Sequence, residues 1–250
     1  MVYPEFLSRE ECEGLIALAR PRLKASRVVL PPNAAGGDGG GAASGDNSSS
    51  NSIIDNATAL GLARGSSLGQ ASVRTSSGAF LNQELRDHPL VRRIDDRIAT
   101  LVALPQSNGE SLHVIRYQQK ELYKPHYDYF KDENLDSENP NQRTVTVLMY
   151  LREPEAGGET AFPRGFSHLV RDDDSTGMLI DTCEGAKVRT GFSVRPRVGS
   201  AIIFHSLTPD GSRDESSLHG SCGVLEGEKW TATKWIRTHE FYGTQNQKPK

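Results

Sequence analysis

Cysteine, methionine and tryptophan are scarce in this chain of 250 residues, with three, three and two copies. The three cysteines, Cys12, Cys183 and Cys222, are too few for a disulfide scaffold, and no CxxC pair offers a zinc site. An odd count allows one bridge and one free thiol. No apolar run approaches the roughly 18 residues that a membrane-spanning helix needs, so no membrane partner is expected of this chain. The opening stretch MVYPEFLSREECEGL has neither a basic region nor an apolar core with a small-residue cleavage site, and no signal peptide is read there. Charge of neither sign dominates. A formal net charge of −3 leaves no basic field to recruit nucleic acid or anionic lipid. The HExxH motif of zinc peptidases is missing. What is present is ordinary for a globular protein: 36% hydrophobic and 24% charged residues, in a length that suits one domain.

Along the chain, Ser8 followed by Glu11 is a capping-box signature, and Cys12, Leu15, Ile16 and Ala19 repeat at helical spacing up to Pro21. A second helix is expected over 89–104, with Leu90, Ile94, Ile98 and Leu101 on one face. Between them, residues 31–52 read PPNAAGGDGGGAASGDNSSSNS, a glycine- and serine-rich insert with no side chain to bury and a high ordering cost. Residues 61–72 are a second expected loop, and 243–250 a disordered tail. Beyond the second helix the period shortens to two. Strands are expected at 111–117, 124–130, 144–151, 186–194, 200–204 and 230–237, separated by turn residues. This pattern predicts an α+β fold over 1–242, with N-terminal helices supporting an antiparallel double sheet.

His126 and Asp128 stand two residues apart in Tyr123-Lys-Pro-His-Tyr-Asp-Tyr-Phe. On a strand such residues share a face, so both side chains can converge on one point. His219 lies far downstream in Ser217-Leu-His-Gly. Two histidines and a carboxylate are the ligand set of non-haem Fe(II) oxygenases, which leave positions open for cosubstrate and oxygen. A His-x-Asp triplet alone also arises by chance at polar strand edges. Lys229 follows His219 on a later strand candidate, where an ammonium can meet the far carboxylate of an iron-chelating keto acid. A solvated lysine is the commoner fate of that residue type.

Taken together, these residues resemble the prolyl 4-hydroxylase family, particularly its soluble plant and algal type. The matching segments are Phe6-Leu-Ser-Arg-Glu-Glu-Cys, Val73-Arg-Thr-Ser-Ser-Gly, Tyr123 to Phe130, Val145-Thr-Val-Leu-Met-Tyr-Leu, Gly157-Gly-Glu-Thr, Ser217-Leu-His-Gly and Lys229-Trp-Thr-Ala-Thr-Lys-Trp. They run in family order, interrupted by the glycine-rich insert. The resemblance implies a double-stranded β-helix, or distorted jelly roll, with His126, Asp128 and His219 as metal ligands and Lys229 on the distal carboxylate of 2-oxoglutarate. It implies Tyr117, Thr160 and Trp235 as further cosubstrate contacts, and Glu110, Tyr123 and Arg143 along the peptide groove. Strand-core packing is the alternative for Tyr117 and Trp235. The other histidines, His88, His113, His168, His205 and His239, match no ligand position, which leaves surface or core roles for them. Arg237 departs from the family, which often has histidine there.

The implied reaction is 4-hydroxylation of peptidyl proline, coupled to decarboxylation of 2-oxoglutarate, with Fe(II), O2 and L-ascorbate. The implied partner is a proline-rich polypeptide in polyproline II form, bound by a monomer. The resemblance also implies a Cys183–Cys222 bridge with Cys12 free. A bridge would place a chain trimmed from a longer one in the endoplasmic reticulum or Golgi lumen; otherwise the cytoplasm is expected. Three rivals stand beside this reading: another 2-oxoglutarate oxygenase (a lysyl or small-molecule hydroxylase), a jelly-roll binding module without catalysis, and a zinc hydrolase. Many related oxygenases bind the distal carboxylate with arginine, so Lys229 favours the prolyl branch.

Overall fold

A computed structural model of the chain describes residues 1–28, 74–130, 141–165 and 191–241. The expected insert, the 61–72 loop, the tail and Cys183 lie outside these. The elements are β1 (Val2–Tyr3), α1 (Arg9–Ala19), β2 (Lys24–Val28), β3 (Arg74–Phe80), α2 (Pro89–Val102), β4 (His113–Tyr117), β5 (Tyr123–His126), β6 (Arg143–Arg152), β7 (Ala156–Gly157), β8 (Thr160–Phe162), β9 (Phe192–Val194), β10 (Ala201–His205), β11 (His219–Ser221), β12 (Val224–Glu226) and β13 (Lys229–Arg237). No helix among the described residues is long and apolar enough to cross a membrane.

Eleven strands form one antiparallel sheet in the order β1-β10-β6-β13-β4-β3-β5-β11-β8-β9, with β2 paired to β3, and β7 pairs with β12 apart from it. The sheet curls on itself. Phe162 of β8 and Val194 of β9, at one end of the order, share a core cluster with Tyr150 of β6 and Ile202 of β10, near the other. This closure makes the double-stranded β-helix, with two inner faces packed toward each other.

Period-two alternation decides what each face carries. Val145, Val147, Met149 and Leu151 of β6, with Trp230, Ala232 and Ile236 of β13, face outward into the main core. There they meet Cys12, Leu15, Ile16 and Ala19 of α1 and Val91, Ile94 and Ile98 of α2. The intervening residues Thr146 and Leu148 of β6, and Lys229, Thr231, Thr233 and Trp235 of β13, face the cavity instead. One polar residue breaks the outward row: Lys234 is buried and meets Asp95 of α2 at 2.8 Å, tying helix to sheet.

Both expected helices form. Ser8 caps α1 in a complete capping box with Glu11. Glu11 also receives two hydrogen bonds from Arg97 of α2, at 2.8 and 2.9 Å. Arg97 is the main reason that the Glu11 carboxyl sits down at about 2. The strand expectations need correction at several points. Strand β5 stops at His126 rather than continuing to Phe130, and β4 begins at His113. Sheet strands also precede and separate the helices, because β1 edges β10 and β2 pairs with β3.

Candidate active site

Strands β5 and β11 run antiparallel with His126 and His219 as direct partners, so the two imidazoles come from adjacent strands at one level. Their ring centroids are 4.4 Å apart. Asp128 lies past the end of β5, in a bend. Strand alternation therefore does not aim its carboxylate. A hydrogen bond does: Thr146 Oγ1 of β6 donates to Asp128 Oδ2 at 2.7 Å. The carboxylate oxygens stand 3.6 Å from each imidazole Nε2, and the three potential ligand atoms lie within 4.8 Å of one another. Each imidazole gives its Nδ1–H to a backbone carbonyl two residues earlier, His126 to Lys124 at 3.0 Å and His219 to Ser217 at 2.9 Å. That hydrogen bond fixes the tautomer and turns the Nε2 lone pair toward the shared point.

The electrostatics suit a cation at that point. Burial, and then the neighbouring His219, push the His126 imidazole below its usual range and keep it neutral as a ligand must be. Burial opposes ionisation of Asp128, yet His219, His126 and Thr146 together hold its carboxyl below the ordinary value. Three donors of the right chemistry, Asp128 and His219 buried and His126 half-buried, converge and fit a divalent metal.

The cluster opens into a cavity of about 300 Å³ between the sheet's inner faces. At its inner end is Lys229, only 1% exposed. Its ammonium donates to Ser221 Oγ at 2.9 Å and lies over the Tyr117 and Tyr150 rings at 5.3 and 5.6 Å. Among the described residues it forms no ion pair. Burial, only partly offset by Glu159, lowers this lysine to about 7. A desolvated cation without a carboxylate is costly, and a ligand that brings one removes the cost. Tyr117, Thr160 and Trp235 line the same cavity. Burial raises the Tyr117 hydroxyl to about 12, so it remains a hydrogen-bond donor. Tyr150 donates to Thr160 Oγ1 at 2.7 Å, which leaves the threonine hydroxyl proton available. Trp235 Nε1 is buried without a hydrogen-bond partner among the described residues.

Glycine places this inner end. Gly157 and Gly158 both take φ of 75°, open to glycine and strained for other residues. A Cβ on Gly158 would stand 3.3 Å from Lys229 Cδ.

Of the three expected groove residues, Tyr123 and Arg143 line the cavity and Glu110 does not. Glu110 is buried behind Arg143 and receives hydrogen bonds from it at 2.7 and 2.9 Å, so it positions the arginine. Tyr123 stacks on the His126 ring at 3.7 Å. Sequence reasoning did not find Arg74, Phe80, His113, Tyr127, Thr146 or Ser221, which also line the cavity. The Val73-Arg-Thr-Ser-Ser-Gly match held Arg74, but nothing in its pattern aimed the side chain inward. His113 is a core residue of the cavity wall, stacked on Phe80 at 4.1 Å, with no hydrogen-bond partner for Nδ1 among the described residues. His88 caps α2 by accepting from Leu90 N–H, while His205 and His239 are exposed.

Residues 112–237 match the family model described as the 2OG-Fe(II) oxygenase superfamily. Among curated proteins, Prolyl 4-hydroxylase 1 of Arabidopsis thaliana is 40% identical over 237 residues, covering 95% of this chain and 68% of that protein. Prolyl 4-hydroxylase 5 of the same plant is 38% identical over 242 residues, covering 96% and 69%. Among solved structures, a viral collagen prolyl hydroxylase from Paramecium Bursaria Chlorella virus-1, in complex with 2OG, aligns over 96% of both chains with a TM-score of 0.59 and 21% identity, a likeness of fold. With its metal-binding triad and buried lysine set in that fold, the chain belongs to the prolyl 4-hydroxylase family of 2-oxoglutarate- and Fe(II)-dependent oxygenases.

Proposed function

We propose that this chain hydroxylates peptidyl proline at C4 in proline-rich polypeptides, coupled to conversion of 2-oxoglutarate to succinate and CO2. The observation that carries this reading is the pairing of a three-ligand cluster with a buried lysine that forms no ion pair among the described residues, in one cavity. The curated relatives named prolyl 4-hydroxylases support the choice of proline.

His126, Asp128 and His219 would hold the Fe(II), and Lys229 with Ser221 would receive the distal carboxylate of 2-oxoglutarate. When bound, the metal supplies activation of O2 together with the cosubstrate. The rest is done by the chain. The Nδ1–H bonds of the two histidines hold their rings, and Thr146 holds Asp128, so the ligand set is arranged before the metal enters. Tyr117 and Thr160 offer hydroxyls to the cosubstrate, and Trp235 walls the slot. Inner walls of buried side chains exclude water from the reacting centre. At the mouth, Tyr123 and Arg143 would face a polyproline II segment, whose low conformational entropy suits an aromatic-lined groove. L-ascorbate is expected to rescue protein whose metal has been oxidised, and the working unit is a monomer.

Cys12 is a free, buried thiol, and the reading pairs Cys183 with Cys222. That pairing is part of the same reading, and it puts the chain in the secretory pathway.

The test is succinate release in the presence of Fe(II) and 2-oxoglutarate, with proline-rich, lysine-containing or no peptide. Stimulation by the proline-rich peptide alone supports the reading. Stimulation by the lysine peptide alone would move the chain to another branch of these oxygenases, and no turnover at all would make it a binding module.

A further inference from the structure

Arg143 of the cavity wall and the half-buried Arg237 beside it share one carboxylate. Arg143 Nε and Nη2 donate to Glu110 at 2.7 and 2.9 Å, and Arg237 Nε donates to the same Oε1 at 2.7 Å. Arg237 Nη1 turns to the Asn141 carbonyl at 2.7 Å. Among the described residues, no second carboxylate lies within ion-pair distance of either guanidinium. Of the nearby charges, Asp128 feels Arg143 but is committed to His126, His219 and Thr146. Lys234 is matched by Asp95 at 2.8 Å, and Glu240 gives a carboxylate oxygen to Ser107. Burial, with Arg74 and Arg143, keeps His113 neutral, and Arg74 bonds Ser76 across from Tyr123. Among the described residues the two guanidiniums therefore have one ion-paired carboxylate between them, which leaves the cluster one positive charge in surplus.

That surplus is presented rather than dissipated. The Arg143 and Arg237 side chains are 18% and 16% exposed, so bulk water screens them incompletely. Arg143 lies on the Trp235 ring at 3.9 Å, and Phe130 takes Arg143 at 5.1 Å and Arg237 at 4.6 Å. Stacking and the Glu110 bonds fix both planes, and Arg143 Nη1 and Arg237 Nη2 make no hydrogen bond among the described residues. Their distance from the reaction is short. Trp235 is the register partner of Thr146, the residue that holds Asp128.

We propose that the Arg143–Glu110–Arg237 cluster selects proline-rich polypeptides that carry an aspartate or glutamate side chain close to the target proline. This rests on the prolyl reading above and names its substrate class. A peptide carboxylate meets two pre-positioned guanidinium edges, a charge-assisted contact that loses little entropy on forming. A peptide lysine in the same place is repelled, so the cluster selects in both directions. The acidic residue belongs within about three residues of the proline, one turn of a polyproline II helix.

The experiment titrates the protein with three peptides of equal length and monitors tryptophan fluorescence, since Trp235 lies under Arg143. One peptide is a neutral proline repeat, and the others carry glutamate or lysine on either side of one proline. The acidic peptide should bind about fivefold tighter than the neutral one at low salt, and the lysine peptide more weakly, with the spread narrowing as salt rises. In Arg237→Gln the acidic-to-neutral ratio should fall toward one, and in Arg237→Lys, which keeps the charge, it should persist. Should Arg237→Gln fail to fold, the wild-type ranking alone decides. Equal affinities for all three, with the neutral peptide hydroxylated, would overturn the inference and leave the prolyl reading standing. Hydroxylation of none of the three would overturn both.

Discussion

The chemistry assigned to single residues depends on what each has been denied. Lys229 is denied water and, among the described residues, an ion pair, and keeps a serine hydroxyl and two tyrosine rings. At about 7, its ammonium is largely neutral above that pH while the cavity is empty, although a bound dianion requires it charged. Cosubstrate binding must then take up a proton. Affinity for 2-oxoglutarate should fall as pH rises above 7, by roughly tenfold per unit where one proton is linked. Calorimetry at pH 8 in two buffers of different ionisation enthalpy should reveal that uptake, and heats independent of buffer would refute it. Lys229→Ala should raise the requirement for 2-oxoglutarate far more than that for peptide, since losing one buried charged partner costs about 2–5 kcal/mol. An unchanged requirement would put the cation elsewhere. At the metal, His126→Ala, Asp128→Ala and His219→Ala should each abolish turnover and leave the far-ultraviolet circular dichroism close to wild type. Activity within tenfold of wild type in any of them would remove that residue from the ligand set.

Between residue and fold, the elements show why some of this was legible in sequence and some was not. The helices were readable because capping and a 3.6-residue apolar stripe are local signals, and α1 uses both. Long strands with two buried faces, such as β6 and β13, were readable for the same reason. Strands β7, β8, β11 and β12 have two or three residues each, too short for any periodicity to declare itself. Strand β3 has two serines followed by a glycine in its middle, poor strand formers on composition. It pairs nonetheless with β2 and β4, and Gly78 earns its position through packing: a Cβ there would stand 2.6 Å from His113 Nε2. Asp128 reached the site by a route that alternation does not describe, since a tertiary hydrogen bond from Thr146 aims it after the strand has ended. The Asp95–Lys234 pair escaped notice because only the packing of α2 on β13 brings it together. Asp95→Ala should destabilise the protein by about 3–5 kcal/mol, because it strands a buried ammonium, whereas replacing both partners with apolar residues should recover most of the loss. Thermal denaturation of the single and double variants checks this. A double variant no more stable than the single would contradict it.

At the scale of the whole molecule, one sheet curled on itself does two jobs with opposite faces of the same strands. Its outer face is apolar and packs on two helices, and its inner face is polar and builds the cavity. The division explains how a chain with few aromatic and sulfur residues supports both a core and a reactive pocket. The redox chemistry of the chain follows at this scale too. Counting thiols in denatured, unreduced protein should find one per chain, and finding three would refute the Cys183–Cys222 bridge and the lumenal assignment that depends on it. The central claim concerns the reaction itself. The most direct test is amino-acid analysis of a proline-rich peptide after incubation with the protein, Fe(II), 2-oxoglutarate and air, alongside measurement of succinate. The account predicts 4-hydroxyproline in amounts that track succinate, and neither product from the Asp128→Ala variant. Succinate from the wild-type protein with the prolines unaltered would contradict it.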